Sequence, residues 1–141
     1  MAKKHELSFQ ERWDALYPTG RDMALTMKIE PVEESDDHVT LRMPWHEDIA
    51  QPTRLFAAAS LFELADVAGT LLAMNHTIGS GFPLAVQSNI NLLSNTGEGA
   101  AIAIAKLVKV GKTLIVTETE MRSDKGKLLS TVTTTYNQPR D

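Results

Sequence analysis

No cysteine occurs anywhere in the chain, which excludes a disulfide framework, a cysteine nucleophile and a thiolate-bound zinc. Positive charge is also scarce: 14 Lys and Arg stand against 18 Asp and Glu, for a formal net charge of −4. With no long basic run to offset that balance, the molecule repels polyanions and nucleic acid is excluded as a partner. Long apolar runs free of charge are missing as well. The most apolar stretch, Leu55 to Met74, would reach about 30 Å as a helix, but it holds two carboxylates, so a membrane span is not expected. The opening Met1-Ala2-Lys3-Lys4-His5-Glu6 has lysines without the apolar core of a signal peptide behind them, which predicts a cytoplasmic protein. The histidines, at positions 5, 38, 46 and 76, do not share ligand spacing, and no metal is expected. A serine triad lacks its Gly-x-Ser-x-Gly elbow. Gly111-Lys112-Thr113 ends like a phosphate-binding loop, but Lys106 stands where the first glycine is required.

What is present suits one soluble domain with a real core: 141 residues, 43% apolar and 23% charged. Ser8-Phe9-Gln10-Glu11 has capping-box spacing, and Phe9, Trp13 and Leu16 then recur at helical intervals until Pro18 and Gly20, predicting a short amphipathic helix. From Met23 to Glu30 the period changes to two, with Met23, Leu25, Met27 and Ile29 on one face, which predicts a half-buried strand. Glu33 to Asp37 reads as a solvated turn into a second strand, Val39 to Trp45, completing a hairpin. Thr53 to His76 is rich in alanine and leucine with one internal glycine, Gly69, and predicts a long helix that protein surrounds on nearly all sides. Four strands follow, over 83–94, 99–110, 113–122 and 127–138, separated by glycine turns. Ala101, Ala103 and Ala105 share one strand face, leaving room for the helix to pack close.

Between Leu55 and Gly97 the only formally charged side chains are Glu63 and Asp66, one helical turn apart. Aspartate is a poor helix-interior residue and is rarely buried alone. Two readings stand: a carboxylate whose pKa burial raises into the range of a general base, or one that reaches solvent at a helix edge or caps a loop. Gln87, Asn89 and Asn91 form a polar strand face with two readings, one reaching toward a ligand and the favoured one facing solvent or another subunit.

Gln51 to Met74, QPTRLFAAASLFELADVAGTLLAM, resembles the central-helix region of hotdog-fold thioesterases of the phenylacetyl-CoA and 4-hydroxybenzoyl-CoA type, in which a His-Gly-Gly start leads into Leu-Ala-Asp. Leu64-Ala65-Asp66 matches that ending. The third strand, the Gly111-Lys112-Thr113-Leu114 junction and the Ser123 to Leu129 hairpin are similar to the family in order, so the likeness covers about residues 22 to 137. It implies an α+β hotdog fold: a six-stranded, curved antiparallel sheet wrapped around one central helix over about 53–75, with residues 1–20 as a helical extension. It also implies hydrolysis of an acyl-CoA thioester. Asp66 takes the place of the catalytic carboxylate, as base or nucleophile, and Gln51 that of the group positioning water or substrate. Ala57, Ala58 and Ala59 replace His-Gly-Gly, so the imidazole is gone while the backbone N–H groups that polarise the carbonyl remain. Further substrate-binding candidates are Glu63, Arg54, Lys109 and Lys112, the cations as partners for coenzyme A phosphates. No cofactor is implied beyond the coenzyme A of the substrate. The implied assembly is a homodimer or homotetramer whose sheets run on between subunits, with each pocket built from two chains. The loss of His-Gly-Gly leaves an alternative, a non-catalytic hotdog that binds an acyl-CoA or related acyl ligand.

Overall fold

The computed structural model describes residues 5–141; Met1 to Lys4, part of the opening read against a signal peptide, lie outside the described residues. Helix α1 spans Phe9–Leu16, and its capping box is complete: Ser8 Oγ accepts from Glu11 N–H, and the Glu11 carboxylate accepts from Ser8 N–H. Its inner face sends Trp13 into the main core, 4% exposed. Arg12 pairs with Glu34 across the gap to the sheet.

The expected strand over 23–30 is a correction. Asp22 Oδ1 accepts from Ala24 N–H at 2.9 Å and caps a one-turn helix α2, Met23–Thr26, after which Lys28 turns the chain at φ 59°. The core then receives Ala24, Met27 and Ile29, while Met23 is 61% exposed. The first strand, β1, is Glu30–Glu34, so the expected hairpin exists with its first arm moved into the segment read as a turn. Its partner β2 runs His38–Pro44.

Helix α3, Ala58–Met74, starts later than expected. Leu55 N–H is not yet helical: an Ala50–Phe56 bridge and a turn in which Arg54 sits at φ 68° hold residues 50–56 as a loop. Asn95 fixes the junction, accepting from Phe56 N–H at 3.1 Å and donating to Phe56 C=O at 2.8 Å.

The remaining strands match expectation to within a few residues: β3 Ala85–Leu92, β4 Ala100–Val110, β5 Leu114–Ser123 and β6 Leu128–Asn137. All pairs are antiparallel in the order β1-β2-β4-β5-β6-β3. The sheet wraps the helix, since α3 packs on β2, β4, β5, β6 and β3. Ala101, Ala103 and Ala105 are fully buried beneath it, as the small-residue face predicted. Gly69 marks the closest approach: a Cβ there would lie 2.5 Å from Tyr136 Oη and 2.9 Å from Thr117 Oγ1. Among the described residues no helix is long and apolar enough to cross a membrane.

The sheet's β3 edge is open. Its side chains are mostly exposed, with Leu84 and Val86 each 61% exposed, and Gln87, Asn89 and Asn91 point outward with them. A register shift between Ala85 and Gln87 bulges Val86 out of the ladder.

Candidate active site

Asp66 lies midway along α3, half-buried, where a cavity of about 310 Å³ opens between α3, the end of α1 and the loop leading into the third strand. Its walls are Leu16, Tyr17, Asp22, Val67, Thr70, Leu71 and Phe82 around Asp66. The Asp66 carboxylate has no hydrogen-bond partner among the described residues, while its backbone is tied down: Tyr136 Oη donates to the Asp66 C=O at 3.4 Å, and Thr70 Oγ1 donates to Tyr136 Oη at 3.5 Å. A fully buried ring that Gly69 admits thus anchors this turn of helix, and the free carboxylate faces the cavity.

Burial pushes the Asp66 carboxyl above the ordinary carboxylate range. Glu63, one turn earlier and half-buried, is pushed up to about 7, first by burial and then by the charges of Asp66 and Asp22. Tyr17 rises to about 12, by burial and then by Asp22 and Glu63, so its phenol stays a neutral donor at any physiological pH. Glu63 thus exchanges its proton near neutrality, while burial makes Asp66 hold a proton more tightly than an exposed carboxylate does.

The helix start offers the second chemical element. Ala57 is the N-cap, and its N–H is already donated to Ile49 C=O at 3.0 Å, which corrects its place among the carbonyl-polarising amides. Ala58 and Ala59 are exposed, and their N–H groups have no partner among the described residues, as the first turn of a helix leaves them. Ser60 Oγ donates to Ile49 C=O at 2.9 Å and, with the Asn95 clamp on Phe56, fixes the direction in which these amides point.

The other expected residues are dispersed. Gln51 stands in the loop before α3, and its Oε1 accepts from Thr53 N–H at 2.5 Å and from Thr53 Oγ1 at 2.8 Å. Arg54 pairs with Glu47 at 3.2 Å and stacks over Trp45 at 4.9 Å. Lys109 and Lys112 are exposed on the β4–β5 turn, which Gln138 ties to the far end of α3 through the C=O groups of Gly111 and His76. Arg54 and the two lysines thus occupy opposite ends of the helix, and one chain does not bring them together. Tyr17, Asp22 and Phe82 line the cavity with Asp66 without a sequence period to signal them, whereas Thr70, four residues after Asp66, follows from helical spacing. The one trace of Tyr17 in the sequence is the apolar content of the arm before residue 27, which had to cover something.

A helix carrying an acid pair, enclosed by a six-stranded antiparallel sheet, defines a hotdog protein. Solved structures superimpose on it throughout. A thioesterase from Haemophilus influenzae covers 97% of this chain and 94% of its own, with a TM-score of 0.88 at 20% identity. The PaaI protein from the phenylacetic acid degradation operon of E. coli covers 96% and 97%, with a TM-score of 0.79 at 18% identity. A thioesterase enzyme from Staphylococcus aureus covers 83% and 98%, with a TM-score of 0.79 at 21% identity. That last protein has been crystallised with a glutamine replaced by alanine and, separately, with a glutamate fifteen positions further on replaced by alanine. At these identities the likeness shows the fold alone. No curated protein matches the chain in sequence. The chain belongs to the thioesterase superfamily, whose family model matches residues 57–130.

Proposed function

We propose that the protein hydrolyses an acyl-CoA thioester, with Asp66 as the general base. The observation that carries this reading is the Asp66 carboxylate itself, without a hydrogen-bond partner among the described residues, pushed up by burial, and set in a cavity beside the helix. Asp66 takes a proton from water as the water oxygen bonds to the thioester carbon. The resulting oxyanion accepts from the N–H groups of Ala58 and Ala59, aided by the positive end of the helix dipole. The C–S bond then breaks, and the proton held by Asp66 passes to the departing sulfur, giving a carboxylic acid and the free thiol. Gln51, which sits at the helix start beside Leu55, orients the water from the chain that supplies the amides. It precedes Asp66 by the same fifteen positions that separate the glutamine and glutamate replaced in the S. aureus protein.

Geometry within one chain argues for a second copy. Ala58 and Asp66 are eight residues apart on one helix, or about 12 Å at 1.5 Å per residue. A single carbonyl needs the base and the oxyanion donors each within roughly 3 Å. The amides therefore come from the partner's helix, across a dimer that joins at the exposed β3 edge, where Leu84 and Val86 are already uncovered.

The replacement of the family's His-Gly-Gly by Ala57 to Ala59 favours one rival, an acyl-CoA binder that does not turn over. Thiol release from a panel of acyl-CoAs separates the two. Wild type releases thiol, and Asp66→Asn lowers kcat by about 10²-fold or more. A panel in which no acyl-CoA releases thiol, while one of them raises the melting temperature, establishes the binder instead.

A further inference from the structure

The cavity at Asp66 has a neighbour. A second cavity of about 370 Å³ lies further along the same side of α3, against Ala15, Leu16, Leu71, Met74 and, at its far end, Arg12, Asn75 and His5, the last two hydrogen-bonded to each other. Leu16 of α1 and Leu71 of α3 line both cavities and form the partition between them. Asp66, Thr70, Leu71, Met74 and Asn75 recur on one side of the helix, so the two spaces follow one stripe. From Asp66 to Asn75 that stripe is about 13 Å long at 1.5 Å per residue. This is roughly the reach of an extended chain of ten carbons with bonds of about 1.5 Å. The near cavity holds the polar groups: Asp66, Asp22, Tyr17 and Thr70. The far one is walled mainly by alanine, leucine and methionine, and its cation is neutralised, since Arg12 pairs with Glu34 and lies over Phe9 at 5.5 Å.

We propose that the groove between α1 and α3 takes the tail of a linear, saturated acyl chain of about ten carbons or more, with Leu16 and Leu71 swinging aside to join the two cavities. The proposal rests on the thioester reading for the placement of the acyl head at Asp66. It adds that the N-terminal helix selects the substrate. A rigid aryl group would fill the near cavity and leave the far one empty. A linear chain gains from each methylene that enters the far one, roughly fourfold per methylene buried.

Ala15 tests this, because it is exposed and lines the far cavity without lining the near one. Alanine to tryptophan there fills the tail space and leaves the reacting end untouched. The expected result is a wild-type kcat/KM that climbs at least tenfold from butyryl-CoA to dodecanoyl-CoA. Ala15→Trp should lose that climb while keeping its activity on butyryl-CoA. Ala15→Ser, which adds little volume, should behave as wild type. If butyryl-CoA is hydrolysed as well as dodecanoyl-CoA, or Ala15→Trp keeps the preference for the longer chain, the groove proposal is overturned and the thioesterase reading stands. If no acyl-CoA is hydrolysed, that reading falls, and the groove is judged by stabilisation. Dodecanoyl-CoA raising the melting temperature of wild type well above that of Ala15→Trp supports the groove. Equal shifts, or none, overturn it.

Discussion

Glu63→Gln separates the electrostatics of the acid pair from its packing, because the amide keeps the shape of the side chain and removes its charge. In the folded protein the Glu63 carboxyl is pushed from the ordinary 4.5 up to about 7, by burial first and by Asp66 and Asp22 after it. A raised pKa means the folded state holds the proton more tightly than the unfolded chain does. The stabilisation from a neutral Glu63 is therefore fully present below about 4.5 and is lost as pH rises through about 7. Taken at face value, a shift of that size corresponds to about 3 kcal/mol at 1.36 kcal/mol per pH unit. Glu63 is only half-buried and water screens its neighbours, so about 1 kcal/mol is the realistic figure. Glu63→Gln should then match wild type in stability near pH 4.5 and exceed it by about 1 kcal/mol at pH 8, or roughly 3 °C in melting temperature. Urea titrations at the two pH values measure the difference directly. A companion readout is the pH profile of thiol release, where an inflection near pH 7 in wild type should vanish in the variant. An equal effect of the substitution at both pH values, or a loss of stability at pH 8, would refute the electrostatic account of the pair.

Two other substitutions test the frame around the site. Gly69→Ala gains about 1 kcal/mol of helix propensity but places a methyl against Tyr136 Oη and Thr117 Oγ1, at a cost of about 2–3 kcal/mol for overpacking. The expected net loss is about 1–2 kcal/mol, and a more stable variant in thermal melts would show that Tyr136 yields freely. Val86→Lys sits on an exposed bulge, so within one chain it costs less than about 0.5 kcal/mol. If β3 is the joint between copies, sedimentation should show this variant as a monomer and thiol release should fall with it. A dimer that persists would place the joint elsewhere.

The second half of the chain was readable because its patterns are local. The alternation in β4 to β6 and the glycine turns between them need no tertiary information, and Ala101, Ala103 and Ala105 announce the helix that covers them. The segment from Met23 to Glu30 misled for an equally physical reason. Its alternating apolar residues fit a strand face, but Asp22 caps Ala24 and the chain bends at Lys28, so a one-turn helix buries Ala24, Met27 and Ile29 instead. A cap hydrogen bond and one left-handed residue outweighed an eight-residue period. The late start of α3 has a similar origin. Alanine-rich sequence from Ala57 onward favours helix, but the Asn95 clamp on Phe56, reaching back from the far side of β3, decides where the helix begins.

The acid pair was legible because charge is absent around it, yet what makes it unusual was not. Charge sparsity in the sequence says that Glu63 and Asp66 lack nearby cations; it does not say that they lack water. Leu16, Tyr17 and Phe82 line the cavity at Asp66 and limit its exposure to water, while Asp22 adds a negative charge near the half-buried Glu63. Leu16 and Tyr17 belong to the arm before the hotdog core, Asp22 to the core's first residues and Phe82 to the loop leading into β3, so the raised affinity of the two carboxyls for protons is a property of tertiary contact. The arm that reads as an appendage in sequence is, in the fold, part of the wall of the acid. Removing its tyrosine therefore has a defined consequence. Tyr17→Ala should open the cavity to solvent and let the Glu63 carboxyl fall back from about 7 toward its ordinary value. Carboxyl titration by NMR reads that fall, and a Glu63 carboxyl still titrating near 7 in the variant would mean that α3 and the sheet alone desolvate the pair.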